Sequence, residues 1–255
     1  MNLKDFEAKK TEVCEKCGQN KFIVSPDGIK VKCLCKCQKE ELEQKELLEQ
    51  KMQHDIMVKE KRTCSLLGKR YANASFETAE LDENNKTAYS VAKSYCEKYK
   101  DMLDKGYGFY IHGPVGTGKT HLIACVCNYL TDKLQDCAFT NFMNITNDIK
   151  KSYSSTESTE SVLDKYSKVP FLFIDDLGKE SYRKANGDGA WLEEQLFIIL
   201  NNRYNNMLPT FFSSNYSIEE FSSSFGFDNA IVDRIKAMAT KTLNLKGKNR
   251  RADKF

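Results

Sequence analysis

The sequence predicts an α/β protein: a parallel five-stranded sheet lying between helices, preceded by a small cysteine-rich module and a helical linker. Three observations lead there. Gly113-Pro114-Val115-Gly116-Thr117-Gly118-Lys119-Thr120 fits G-x-x-x-x-G-K-[ST], with the β-type run Phe109–His112 before it and the helical run His121–Leu130 after it. Phe171-Leu172-Phe173-Ile174 is an apolar run that ends in two carboxylates, Asp175 and Asp176. Five of the ten cysteines fall within the first 40 residues, which sets that segment apart from the rest of the chain.

The 255 residues suffice for one large domain or a medium domain plus a small module. Hydrophobic residues at 40% and charged residues at 29% fit an ordinary globular protein. No apolar run approaches a membrane span and the first residues carry no signal-peptide core, so a cytoplasmic location and no membrane partner are expected. In that compartment the cysteines read as metal ligands or buried thiols rather than disulfides. A formal net charge of +3 does not by itself argue for nucleic acid. The basic end, with Lys241, Lys246, Lys248, Arg250, Arg251 and Lys254 against Asp253, reads equally as a phosphate-binding surface and as a solvated tail.

Taken in order, Cys14-Glu15-Lys16-Cys17-Gly18 is a knuckle. It is followed by Phe22–Val24 and Ile29–Val31 flanking the turn Ser25-Pro26-Asp27-Gly28. Cysteine pairs joined by a hairpin are a frame for tetrahedral Zn²⁺, with Cys14 and Cys17 as two ligands and the other two drawn from Cys33, Cys35 and Cys37. So small a unit buries little core, and a metal would contribute most of its folding free energy. His54 lies too far along the next helix to serve. From Lys39 to about Arg62 a Lys/Glu/Gln/Leu-rich stretch places Leu42, Leu47, Leu48, Met52 and Ile56 near helical spacing, with no Gly or Pro. The narrow stripe suits either a partner surface or a solvated linker. Leu66–Phe76 breaks this helix and begins the second domain, giving domains of 1–62 and 63–255.

A helix is expected over about Asn84–Leu103, with Ala88, Val91, Ala92, Tyr95 and Tyr99 on one face. The first strand and the glycine-rich loop follow. Ala138–Phe142 reads as a strand, Ile145–Ser152 as a helix, and Ser154–Ser161 as an exposed polar loop. After the Asp175–Asp176 strand come a helix over Trp191–Asn205, a strand over Pro209–Asn215, a helix opening at Ile231–Ile235, and a last strand at Leu243–Leu245. Strand and helix in alternation argue a parallel sheet covered on both faces.

The chemistry follows from the motifs. The glycines let the loop turn its N–H groups toward phosphate oxygens. Lys119 reaches the β- and γ-phosphates and Thr120 offers its hydroxyl to Mg²⁺. Carboxylates at the tip of a buried strand are costly unless they face a metal or water. Asp175 is therefore assigned to Mg²⁺ and Asp176 to polarising the attacking water. Asn215, at the tip of a neighbouring strand, is placed to orient that water.

Gly113–Leu122, Phe173-Ile174-Asp175-Asp176-Leu177-Gly178, Asn202-Arg203-Tyr204, Leu208-Pro209-Thr210 and Ser214-Asn215 together resemble the DnaC/DnaI-type AAA+ ATPases, bacterial and phage helicase loaders with the IstB transposition ATPases as relatives. The resemblance covers about residues 66–251. It implies an AAA+ P-loop NTPase, with ATP held by Gly113, Pro114, Val115, Gly116, Thr117, Gly118, Lys119, Thr120 and His121, and with Asn215 as sensor 1. It further implies that Arg234, in Val232-Asp233-Arg234-Ile235, is an arginine finger inserted by a neighbouring subunit, so that hydrolysis is weak and depends on self-association. Arg203 is a second candidate for contact in trans, or else an ion-pair residue. The N-terminal cysteines resemble the zinc module of such loaders, in which Cys35-Lys36-Cys37-Gln38 matches the second pair, giving Cys14, Cys17, Cys35 and Cys37 as ligands. That module implies a hexameric replicative helicase as partner, and the ATPase domain implies single-stranded DNA.

Two departures stand out. Asp176 replaces a glutamate, which suits a slow switch, and little sequence follows Leu245, so a lid is expected to be reduced or absent. Arg250, in Gly247-Lys248-Asn249-Arg250, resembles the family's terminal Gly-x-x-Arg element without an assigned role. An IstB-like transposition regulator is the alternative, disfavoured by the cysteine module. A zinc-dependent adaptor with a merely structural ATP site has no need of Lys119, Asp175, Asp176, Asn215 and Arg234 together.

Overall fold

The computed structural model describes residues 13–24, 26, 28–156, 158–178, 189–220 and 228–250. The chain divides into two compact units, Met1–Ile56 and Met57–Phe255, with the division inside a helix. Among the described residues no helix is long and apolar enough to cross a membrane. Of the basic end, Arg251 and Lys254 lie outside the described residues, as do Ser25 and Asp27 of the expected hairpin turn.

In the first unit, β1 (Phe22–Val24) and β2 (Lys30–Lys32) pair antiparallel, with Ile23 opposite Val31. A single pair of three-residue strands is not stable alone. Helix α1 (Lys36–Cys64) buries none of its residues. Leu42, Leu47, Leu48, Met52 and Ile56 are all exposed, as the narrow stripe predicts. Ion pairs Lys36–Glu40 and Lys45–Glu49 run along it, both solvent-exposed and therefore only weakly stabilising.

In the second unit, β3 (Gly108–His112), β4 (Cys137–Asn141), β5 (Phe171–Leu177), β6 (Thr210–Ser214) and β7 (Ala239–Asn244) form one sheet in the order β4-β5-β6-β3-β7, with every pairing parallel. This is the expected five-stranded sheet. Alternate residues take opposite faces. Phe109, Ile111, Phe139, Phe171, Phe173, Phe211 and Leu243 pack with α2 (Lys86–Glu97) and α4 (Lys119–Asp132). Tyr110, Ala138, Leu172, Ile174 and Phe212 pack with α5 (Phe142–Ser152), α6 (Thr159–Lys168), α7 (Gly189–Asn205) and α8 (Asn229–Met238). Aromatic rings tie the first face across the strands. Phe173 stacks on Phe211 at 4.4 Å, and Phe211 meets Phe109 edge-on at 4.7 Å. The end of α1 is fastened to this unit by Arg62, whose Nε and Nη2 each donate to the Asp132 carboxylate at 2.9 Å.

Three expectations are corrected. The helix foreseen over 84–103 is two, because α2 ends at Glu97 and α3 (Tyr99–Asp104) begins after Lys98, which leaves helical geometry at φ −111°, ψ 20°. The polar run 154–161 is not all loop, because α6 starts at Thr159. The Ser158 Oγ accepts from the Ser161 N–H at 3.1 Å, so the serines there cap a helix.

The third concerns Arg203. It is fully buried, which leaves no guanidinium surface for a contact in trans, and it pairs with no carboxylate among the described residues. Its Nε donates to Thr210 Oγ1 at 2.8 Å, its Nη1 to the carbonyls of Tyr166 and Val169 at 3.0 and 2.6 Å, and its Nη2 to those of Pro170 and Pro209 at 3.3 and 2.7 Å. Burial lowers its pKa to about 9, which leaves it a cation at neutral pH. Arg203 ties the end of α6 to the entries of β5 and β6.

Candidate active site and metal centre

Strands β5, β6 and β3 are neighbours, and their C-terminal ends carry the Asp175–Asp176 pair, Asn215 and the glycine-rich loop respectively. Ligand sites in open parallel sheets lie beyond this edge. The loop is shaped at two positions that require glycine. Gly113 sits at φ 146°, and a Cβ there would lie 2.0 Å from the Leu245 carbonyl oxygen. Gly116 sits at φ 83° with the Asn249 side chain against it.

A cavity of about 320 Å³ opens above the loop. Val115, Gly116, Gly118, Lys119, Thr120, His121, Asp176 and Asn215 all line it, whereas Gly113, Pro114, Thr117 and Asp175 are not part of its lining. Lys119 Nζ donates to the carbonyls of Gly113 and Pro114 at 2.8 and 2.9 Å and to Asn215 Oδ1 at 2.8 Å, which links the loop of β3 to the tip of β6. Thr120 Oγ1 donates to Asp175 Oδ2 at 2.9 Å. A hydroxyl and a carboxylate converging in this way are hard oxygen donors and fit Mg²⁺. Burial raises the Asp175 pKa, against the lowering effect of the hydrogen bond from Ser213. Asp176 adopts φ 55°, a left-handed backbone that costs a non-glycine residue about 1–3 kcal/mol.

Arg234 stands apart from this cavity. Its guanidinium lies 4.5 Å from the Tyr204 ring centroid and its Nε donates to Asn201 Oδ1 at 3.2 Å. Arg250, which had no role, lines the cavity. Its backbone N–H donates to the Gly116 carbonyl at 3.0 Å, its Nη1 to the Glu80 carbonyl at 2.8 Å, and its guanidinium pairs with the Asp82 carboxylate. Among the described residues the segment after β7 is this strap across the loop and holds no helix. Sequence reasoning missed Arg70, Glu80 and Tyr89 of the cavity wall, which no motif marks.

In the first unit, Cys14, Cys17, Cys35 and Cys37 bring their Sγ atoms within 4.8 Å of one another. Four thiols so arranged fit a tetrahedral Zn²⁺. Backbone hydrogen bonds from Cys17 and then Lys16 lower the Cys14 pKa to about 6, favouring thiolate, whereas the hydrogen bond with Cys35 raises that of Cys37. Cys33 is outside the cluster: it follows β2, its N–H donates to the Lys21 carbonyl, and its Sγ faces the Asn20 carbonyl. Cys35 and Cys37, and not Cys33, are thus the later cysteines that cluster with Cys14 and Cys17.

The sheet order, the glycine-rich loop and the Asp175–Asn215 edge define a P-loop nucleotide-binding protein of the AAA+ class. Residues 67–242 match the family model of the bacterial DnaA ATPase domain, and the chain belongs to that family. It is 26% identical over 219 residues to the replicative helicase loader DnaI of Bacillus subtilis, a match covering 81% of this chain and 66% of the relative, so the chain spans just under two thirds of that protein's length. It is 28% identical over 185 residues to the replicative helicase loader DnaC of Escherichia coli K12, covering 70% of each. A crystal structure of the DnaC helicase loader aligns at a TM-score of 0.60 and 25% identity, covering 70% of this chain and all of that one. The resemblance drawn from the motifs is thereby borne out.

Proposed function

We propose that the protein is a cytoplasmic, ATP-dependent helicase loader that holds a replicative hexameric helicase and helps place it on single-stranded DNA. The reading is carried by the joining of Lys119, Asn215, Thr120 and Asp175 at one edge of the sheet, on a chain homologous to proteins named as loaders. ATP occupies the cavity with its phosphates on the Gly113–Thr120 loop, and Thr120 and Asp175 hold Mg²⁺. Asp176 and Asn215 orient water. Arg234, remote from its own cavity, acts on a neighbour's, so that hydrolysis follows self-association. Residues 1–62 form a zinc-bound helicase-gripping module with Cys14, Cys17, Cys35 and Cys37 as ligands, the exposed stripe of α1 contributing to the grip, and residues 63–255 form the ATPase domain.

A surface on the ATPase domain supports the DNA reading. Tyr153 is 63% exposed and its ring lies 6.3 Å from that of Trp191, with Lys150 Nζ 5.7 Å from the Trp191 ring. Aromatic faces beside cations suit stacked, backbone-charged single strands. The relatives described above favour this reading over a transposition regulator.

The test is reconstitution with a purified replicative helicase. The full chain should co-purify with the hexamer, and ATP should increase the helicase recovered on single-stranded DNA. Lys119→Ala should keep the helicase contact and lose the ATP effect. Absence of a helicase complex with zinc present overturns the proposal.

A further inference from the structure

We infer that Ser213 is a positioning residue that sets the Asp175 carboxylate and the Asp176 backbone through one hydroxyl. Ile174 pairs with Phe212 and Leu177 with Ser214, so between these partners β5 carries Asp175 and Asp176 while β6 carries only Ser213. The sheet therefore bulges at the two carboxylates, and a bulge leaves ladder groups without partners. Ser213, fully buried, fills that gap. Its Oγ accepts from the Asp176 N–H at 3.1 Å and donates to the Asp175 carboxylate. One side chain thus pins the left-handed backbone of Asp176 and the rotamer of Asp175. Ser214 closes the far side of the bulge by donating to the Leu177 carbonyl at 2.7 Å. Thr120 shares the Asp175 carboxylate with Ser213. When Thr120 turns its hydroxyl to a cation, Ser213 remains to hold the carboxylate.

The inference rests on the nucleotide-switch reading proposed above and assigns a further residue to it. The experiment compares the full-length wild type with Ser213→Ala, Ser213→Cys and Ser213→Thr in two readouts: affinity for a fluorescent ATP analogue, with magnesium and with EDTA, and hydrolysis at saturating nucleotide. A hydrogen bond to a charged group governs about a tenfold change or more. Ser213→Ala should keep metal-free affinity within about twofold of wild type, need about tenfold more magnesium for half-maximal enhancement of binding, and hydrolyse about tenfold more slowly. Ser213→Cys, similar in size but a weak donor, should show the same split and serves if the alanine variant does not fold. Ser213→Thr keeps the hydroxyl and should restore both readouts. Equal loss of affinity with and without magnesium, or wild-type hydrolysis by Ser213→Ala, overturns the role given to Ser213. A wild type that hydrolyses no ATP at any magnesium concentration, with replicative helicase and single-stranded DNA present in every hydrolysis assay, overturns the nucleotide switch itself, and this role with it.

Discussion

Arg203 offers the sharpest quantitative check, because its surroundings separate a fold-holding role from a contact in trans. All five guanidinium donors are used, on one hydroxyl and four carbonyls. Arg203→Lys preserves the charge but supplies three donors from a tetrahedral head, so two of the five bonds are lost, and of the acceptors the Pro209 carbonyl keeps another donor, the Leu172 N–H. Each buried acceptor left alone costs about 1–3 kcal/mol, which gives a loss of roughly 2–6 kcal/mol. That is a large share of the about 5–15 kcal/mol that stabilises a typical domain. The assay is urea unfolding followed through Trp191, the sole tryptophan of the chain, which lies in the ATPase unit. With a slope of about 2–3 kcal/mol/M for a unit of this size, the midpoint should fall by roughly 1 M or more. A lysine variant that unfolds with the wild type, yet loses assembly-dependent hydrolysis, would refute the reasoning and return Arg203 to an intersubunit role.

Arg234→Ala should leave ATP binding intact and reduce hydrolysis by the assembled protein about a thousandfold; mixing it with Lys119→Ala should restore part of the rate, since each variant supplies the half that the other lacks. Tyr153→Ala should weaken single-strand affinity about tenfold in fluorescence anisotropy at fixed salt, without changing the salt dependence. Cys17→Ser should abolish binding of about one zinc per chain, measured by metal analysis, and leave the Trp191-detected unfolding of the ATPase unit unchanged.

The residues that were legible in the sequence are those whose chemistry is tied to spacing. The loop from Gly113 to Thr120 and the Asp175–Asp176 tip each form a local string with one sensible use, and Asn215 follows from lying at the end of the next strand. Arg203 was not legible because its partners are mostly main-chain carbonyls, which every residue carries and no motif marks. A charged side chain on a helix reads as surface until the fold closes over it. Helix α6 was hidden because its start is written in serine and threonine, residues that serve loops and caps alike; Val162 and Tyr166, both buried, carried the helical spacing. The cysteine ligands remained open among three candidates by spacing alone. The structure places Cys33 directly after β2 with its Sγ against the Asn20 carbonyl, outside the cluster. Ser213 has no sequence signature, since its role depends on a bulge in the strand beside it.

Strand β6 explains why fold and chemistry are hard to separate here. At its entry, Pro209 and Thr210 receive Arg203, which fixes the strand against α6 and β5. One residue before its end, Ser213 grips the Asp175 carboxylate and the Asp176 backbone. Just past its end, Asn215 receives Lys119 of the phosphate loop. The strand lies between β5 and β3, so it is the sole described strand that touches both the carboxylates and the loop. A shift of β6 along its axis would move Asn215 away from Lys119 and loosen Asp175 together. Substitutions at Arg203 mild enough to leave the domain folded should therefore impair hydrolysis more than nucleotide binding, although Arg203 lines no part of the cavity.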